Sequence, residues 1–156
     1  ARPELRALSE FSGETVSLSL LDGNERLVLE VMEGRSRLRS IVRVGEVVKL
    51  HKGAVGSVFM AFQPKLKIED VFSEEPMPDN LDREIEEIRA AGYACSVGDR
   101  LEGAAGIAAP VFDMNGECNY CISVAGPEVR ILDKKDEIAG QLTASAQRLS
   151  RHMGNP

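Results

Sequence analysis

The most reactive side chains in this chain are three cysteines and two histidines. Cys118 and Cys121 form a C-x-x-C, the spacing used by zinc sites and thiol–disulfide centres. Within a strand, residues three apart point to opposite faces, so the two sulfurs converge on one ion, or on each other, only where the strand is interrupted between them. Cys95, His51 and His152 are left to complete a site, and His152 falls in a polar C-terminal tail that reads as surface. A Cys–His nucleophile pair needs its imidazole held by a third group, and nothing near His51 in the sequence supplies one. Walker-type phosphate loops, H-E-x-x-H and G-x-S-x-G are all missing. The chain therefore reads as a non-enzyme, with neither a metal site nor a cofactor expected.

The elements that carry the C-x-x-C point to a different use. GAAGIAAPVFDMNGECNYCISVAGP, residues 103–127, reads as two strands joined at Asn115-Gly116, because both central positions of a type I′ turn require φ > 0. With that tip, Met114 pairs with Glu117, Pro110 with Cys121, Ala108 with Ser123, and Gly106 with Ala125. These residues share one face, and most are small. The other face carries Ile107, Ala109, Val111, Tyr120, Ile122 and Val124, enough to seal a sheet against helices. One side is filled and the other hollow, which calls for a helix packed closely on the small residues or for a pocket.

The remaining elements follow from periodicity. Residues 3–12 place Leu5, Leu8 and Phe11 on one side of a helix that has Pro3 near its start and Gly13 as its stop. Val16, Leu18 and Leu20 alternate with Thr15, Ser17 and Ser19 up to a turn at Asp22-Gly23-Asn24, and RLVLEVM returns as a second strand. GAVGSVFMAF reads as a short helix entered through glycines and ended by Gln63-Pro64. Leu81, Ile85 and Ile88 line a helix closed by Gly92, and Ile138, Leu142, Ser145, Leu149 and Met153 form the seam of a C-terminal helix begun near Asp133. The order α-ββ-α-α-βββ-α, with strands joined by hairpins, describes one α+β domain. A net charge of −6 and a pI near 5.0 argue against a nucleic-acid surface on this piece. No apolar run approaches 18 residues and the cysteine count is odd, so the chain reads as cytoplasmic. The arginines at 35, 37, 39 and 43 and the acidic run over 69–87 read as solvated surface. Because the chain opens almost directly on a helix, residues 1–12 read as the end of an interdomain linker helix and 13–156 as the domain proper.

Six stretches taken together carry a resemblance. SGETVSLSLLDG (12–23), RSIVRVGEVVKLH (39–51), LHKGAVGSVFMAF (50–62), EIEEIRAAGYACS (84–96), GIAAPVFDMNG (106–116) and ISVAGP (122–127) resemble, in order and spacing, the C-terminal effector-binding domain of the IclR family of bacterial transcription regulators. The resemblance spans essentially the whole chain, and its specific part is I-R-x-x-G-Y-A followed by I-A-A-P-V-F-D. It implies a GAF-like fold, a curved antiparallel sheet flanked by helices with a ligand cavity over one side. It also implies an N-terminal winged helix-turn-helix DNA-binding domain, absent from this chain, through which operator DNA would be reached. The expected partners are a small-molecule effector, typically a carboxylate or aromatic acid, and further copies of the chain in a dimer or tetramer, with no membrane.

Carried over by position, the resemblance places effector-binding residues at Val55, Gly56, Ser96, Gly106, Ser123 and Ala125, with His51, Lys52, Ala54, Ala104 and Cys121 at the rim. Gly106, Ser123 and Ala125 also fall on the hollow face. The helix start over residues 54–57 offers unpaired N–H groups and a positive dipole end that suit a carboxylate. Family members commonly carry an acid at the position of Ser96, a Cys at Gly106 and a second Ser at Ala125. Lys52 stands where a small residue is usual and Ser57 where Lys is usual. The expected effector is therefore bulkier than a two- or three-carbon keto acid. Two other uses of the scaffold remain open at this point, a thiol-dependent enzyme and an oligomerisation domain with a vestigial pocket.

Overall fold

Two hairpins, each interrupted by one bulge, and three amphipathic helices generate most of the architecture. The computed structural model describes all residues 1–156. In chain order the elements are α1 (Arg2–Ser12), β1 (Thr15–Asp22), β2 (Glu25–Met32), β3 (Val47–Lys49), α2 (Ala54–Phe62), α3 (Ile68–Val71), α4 (Leu81–Ala91), β4 (Ala94–Val97), β5 (Ala104–Phe112), β6 (Cys118–Pro127), α5 (Glu128–Asp133) and α6 (Lys135–His152). The strands form one curled antiparallel half-barrel in the order β3-β2-β1-β6-β5-β4. This is the GAF-like α+β domain expected; β3, α3 and the short α5 ahead of α6 are additions to the reading. No helix is long and apolar enough to cross a membrane.

The sheet has two differently built faces. Val16, Ile107, Ala109, Val111, Ile122 and Val124 pack under α1, α5 and α6, meeting Leu5, Leu8, Ile131, Ile138, Leu142 and Leu149. Each fully buried aliphatic side chain here contributes about 1.5–3 kcal/mol. On the other face α2 and α4 bring Val55, Val58, Phe59, Leu81 and Ile85 against Ala94, Ala108, Cys118 and Cys121.

Phe11 departs from its expected place. It is 46% exposed, and the buried side of α1 is Leu5, Leu8, Ser9 and Ser12. Six residues advance a helix by about 600°, which turns Phe11 well away from Leu5, whereas Ser9 and Ser12 fall within about 40° of it.

The turn of the β5–β6 hairpin also differs. Only Gly116 has φ > 0, and the N–H of Gly116 donates to the Asp113 carbonyl at 3.0 Å, so Asp113 to Gly116 form the turn and Met114 does not pair with Glu117. Asp113 wins because its Oδ1 accepts from the N–H groups of both Asn115 and Glu117, at 2.9 and 3.0 Å. The tip is thereby displaced by one residue, and a bulge at Asn119 reverses the displacement: Phe112 pairs with Cys118 but Val111 with Tyr120. From there inward the register is as expected, with Pro110 opposite Cys121, Ala108 opposite Ser123 and Gly106 opposite Ala125. The same bulge interrupts the strand inside the C-x-x-C and turns Cys118 onto the α2 face beside Cys121.

Candidate functional site

The hollow face extends beyond the hairpin to four strands. Pairing aligns Ser96, Gly106, Ala125 and Thr15 in one lateral row across β4, β5, β6 and β1, and Ala94, Ala108, Ser123 and Ser17 in the next. Both readings of the small residues hold, on different parts of the sheet. Helix α2 covers Ala94, Ala108 and Cys121. The first row, together with Ser17 and Ser123, floors a cavity of about 530 Å³. That volume lies within the range of small-molecule sites, about 300–1,000 Å³.

The walls come from three segments. Lys52 and the cap Gly53 with the first turn of α2, Ala54 and Val55, make one wall, the β4–β5 turn supplies Asp99 to Gly103 ahead of Ala104 on β5, and the loop after β2 supplies Leu38 to Val42. That loop is tied down at its base, where Thr15 Oγ1 donates to the Ser40 carbonyl at 2.7 Å and accepts from the Gly34 N–H at 3.1 Å. Arg130 Nη2 donates to the Leu38 carbonyl at 2.6 Å while the same side chain grips buried Glu14 at 2.7 and 2.9 Å. Leu38, Ile41 and Leu101 project into solvent at the mouth, each about two-thirds exposed.

Of the residues singled out in sequence, Val55, Ser96, Gly106, Ser123 and Ala125 line this cavity, as do Lys52, Ala54 and Ala104. Gly56, His51 and Cys121 do not. A Cβ on Gly56 would stand 1.9 Å from the Leu50 carbonyl oxygen, so this glycine lets α2 pack against the preceding backbone. At Gly106 a Cβ would have its nearest neighbours at 3.6 Å (Val124 O) and 3.9 Å (Ser96 Oγ), ordinary contacts, so no steric demand fixes that glycine. His51 is mostly buried with Nδ1 unpartnered, and its Nε2 lies 3.9 Å from Glu75. Cys121 is fully buried under α2.

The thiols do not form a reactive centre. All three cysteines are free, and none lines the cavity. Burial pushes the Cys118 thiol up to about 12 and the Cys121 thiol well above its ordinary value, the neighbouring Cys118 adding to the second shift. Burial also raises half-buried Cys95. Thiols held neutral in this way are poor nucleophiles. No group of three His, Cys, Asp or Glu side chains is placed to hold a metal ion.

The cavity does contain donors. Gly53 caps α2 with φ +97°, no side chain caps the helix, and the N–H groups of the lining residues Ala54 and Val55 have no partner. Arg26 and Arg100 line the wall, and neither was singled out in sequence. Arg26 is only 4% exposed, and burial, followed by repulsion from Arg100, lowers its guanidinium to about 10. The stem of Arg100 lies over Gly53, whose Cβ would meet it at 2.9 Å.

Comparison with known proteins follows the same lines. Residues 1–151 match the profile of the bacterial transcriptional regulator IclR C-terminal domain. The HTH-type transcriptional regulator BhcR of Paracoccus denitrificans is 34% identical over 145 residues, 86% of this chain and 52% of its own length. The HTH-type transcriptional repressor AllR of Klebsiella pneumoniae is 28% identical over 97% of this chain and 60% of its own length. The crystal structure of Thermotoga maritima IclR superposes with a TM-score of 0.89 at 29% identity, covering 99% of this chain and 67% of that one. Pseudomonas aeruginosa HmgR gives 0.90 at 27% identity, covering 99% and 65%. The chain thus spans between about half and two-thirds of the length of these curated relatives.

Proposed function

Starting from a chain that belongs to the IclR family of bacterial transcriptional regulators, as its C-terminal domain, we propose that this domain is the sensor of a cytoplasmic regulator and that the 530 Å³ cavity holds its effector, a small organic acid. The observation that carries the reading is the floor of the cavity. Ser96, Gly106, Ala125, Thr15, Ser17 and Ser123 are small on every strand that crosses it, and Gly106 is free of any packing constraint that would require a glycine. An acid fits the unpaired first turn of α2 and the arginines on the wall. The volume suits an aromatic or medium-chain acid better than a two- or three-carbon one.

Binding at a wall built from the β2–β3 loop and the β4–β5 turn would shift the packing of neighbouring copies in a dimer or tetramer, and so the spacing of DNA-binding domains joined ahead of residue 12. The relatives are regulators and repressors rather than enzymes, and the buried, neutral thiols favour the sensor over a thiol-dependent reaction on the same scaffold. An open cavity likewise favours it over a vestigial pocket.

A thermal-shift screen against paired acids of increasing size tests this. An effector at about one hundred times its Kd stabilises by about 2.7 kcal/mol, a rise of roughly 5–10 °C in a domain of this size. A response confined to one size class supports the reading. A flat response across acetate, pyruvate, benzoate and octanoate rejects it.

A further inference from the structure

Arg26 is the one buried charge in the cavity wall without a counter-charge. It sits at the start of β2, opposite Leu21 on β1 and Val48 on β3. Its side chain is directed to the cavity face by a bulge: Leu18 pairs with Glu30 but Ser19 pairs with Val28, so Leu29 is unpaired and the strand's alternation inverts beyond it. With no bulge, Leu27 would share the face of Ser17 and Ser19 and Arg26 would point to the opposite side. The guanidinium makes a single hydrogen bond, Nη1 to Ser19 Oγ at 3.4 Å, and no carboxylate lies within ion-pairing distance. Glu46, the carboxylate whose field reaches it, pairs at 3.8 Å with Arg100 instead.

A buried charge left unpaired costs several kcal/mol, and a chain that only needed to fill this position would carry a Leu or Met. Arg26 keeps donors free in a cavity that a ligand can enter, and a second guanidinium, Arg100, adds to the positive potential there. Resting on the effector reading above, we propose that Arg26 is the anion-binding residue of the cavity, gripping the carboxylate of the effector, whose apolar body extends over the Ser17–Ser123–Ala125 floor towards Leu38, Ile41 and Leu101 at the mouth. The charged end then lies at the deep β2 side.

The test uses benzoate and octanoate with their uncharged twins benzamide and octanamide, at matched ionic strength, on the wild-type chain and on Arg26→Met and Arg26→Lys. The expected result has three parts. The acids raise the wild-type Tm and the amides do not. Arg26→Met has an unliganded Tm at or above wild type, because a stranded charge is removed. Its affinity for the acids falls at least about 30-fold, and Arg26→Lys recovers part of the loss. Amides binding as well as acids, or Arg26→Met keeping acid affinity within about threefold, overturns the role of Arg26 while leaving the cavity as a sensor. Absence of any response in the wild type, with Arg26→Met less stable than wild type, overturns both and makes Arg26 a structural residue. The wild-type comparison of acid with amide, together with Arg26→Lys, decides the matter even if Arg26→Met does not fold.

Discussion

The hydroxyl of Ser17 on β1 lies 2.9 Å from that of Ser123 on β6, a buried hydrogen bond across two adjacent strands on the floor of the cavity. Either substitution to Ala alone strands the other hydroxyl, and each should cost about 1 kcal/mol, or roughly 2–4 °C in Tm. The double replacement removes both partners together and should cost less than the sum of the two. A double-mutant cycle by urea denaturation measures the difference. Additive losses would mean that the pair is not coupled.

Two glycines near the site should respond in opposite ways. Gly106→Ala adds a Cβ with nothing closer than 3.6 Å and should fold with an unchanged or slightly raised Tm. Gly106→Leu places its side chain in the cavity and should leave the fold intact while abolishing any acid-induced shift. Gly56→Ala drives a Cβ to 1.9 Å from the Leu50 carbonyl and must displace α2, at about 3 kcal/mol or more. Thermal denaturation of the three variants, with and without benzoate, separates a ligand position from a packing position.

How legible the site was in sequence depended on whether strand alternation ran unbroken. The Gly106, Ala108, Ser123 and Ala125 face was readable from the Asn-Gly signal because the displaced turn and the bulge at Asn119 offset each other exactly one residue each way. The faces of Cys118 and Arg26 were not, since each depends on a single bulge, at Asn119 and Leu29, that no local propensity announces. A signal for Arg26 was present all the same. It follows a tight turn and directly precedes the apolar run Leu27-Val28-Leu29, where a charge has to find either solvent or a partner. The loop over residues 33–46 shows no periodicity in sequence, and its course is set by long-range bonds from Thr15 and Arg130.

The Arg130–Glu14 pair should be the main stabilising ionic contact of the domain. Glu14 is 3% exposed and accepts from Arg130 at 2.7 and 2.9 Å, while Gly126 leaves the room its carboxylate needs, a Cβ there falling 2.5 Å from Oε1. Arg130→Met strands a buried carboxylate and frees the Leu38 carbonyl that anchors the loop at the cavity mouth. A loss of about 2–3 kcal/mol is expected, below the cost of a wholly buried pair because Arg130 is partly solvated. Hydrogen exchange should show faster exchange over residues 36–42 in this variant than in wild type; an unchanged loop would detach the pair from the site.

The cysteines give a prediction in pH. The Cys118 thiol titrates near 9.0 when unfolded and at about 12 in the native domain because burial disfavours the thiolate, and Cys121 is shifted in the same direction. Between those values the unfolded chain has released protons that the native chain retains, so native stability falls as pH rises through the window and is fully present below about 9. Arg26 acts in the opposite sense above about 10, where the native guanidinium releases its proton first. That contribution cancels in a comparison between wild type and Cys118→Ala. The variant should therefore lose less stability than wild type between pH 8 and pH 10 in parallel urea titrations. In the native protein at pH 8, iodoacetamide should modify half-buried Cys95 first and leave Cys118 and Cys121 unmodified until the domain unfolds, a result read directly by mass spectrometry. Prompt alkylation of Cys121 in the folded state would mean that the α2 face opens on the timescale of the reaction, and would return the thiols to consideration as reactive groups.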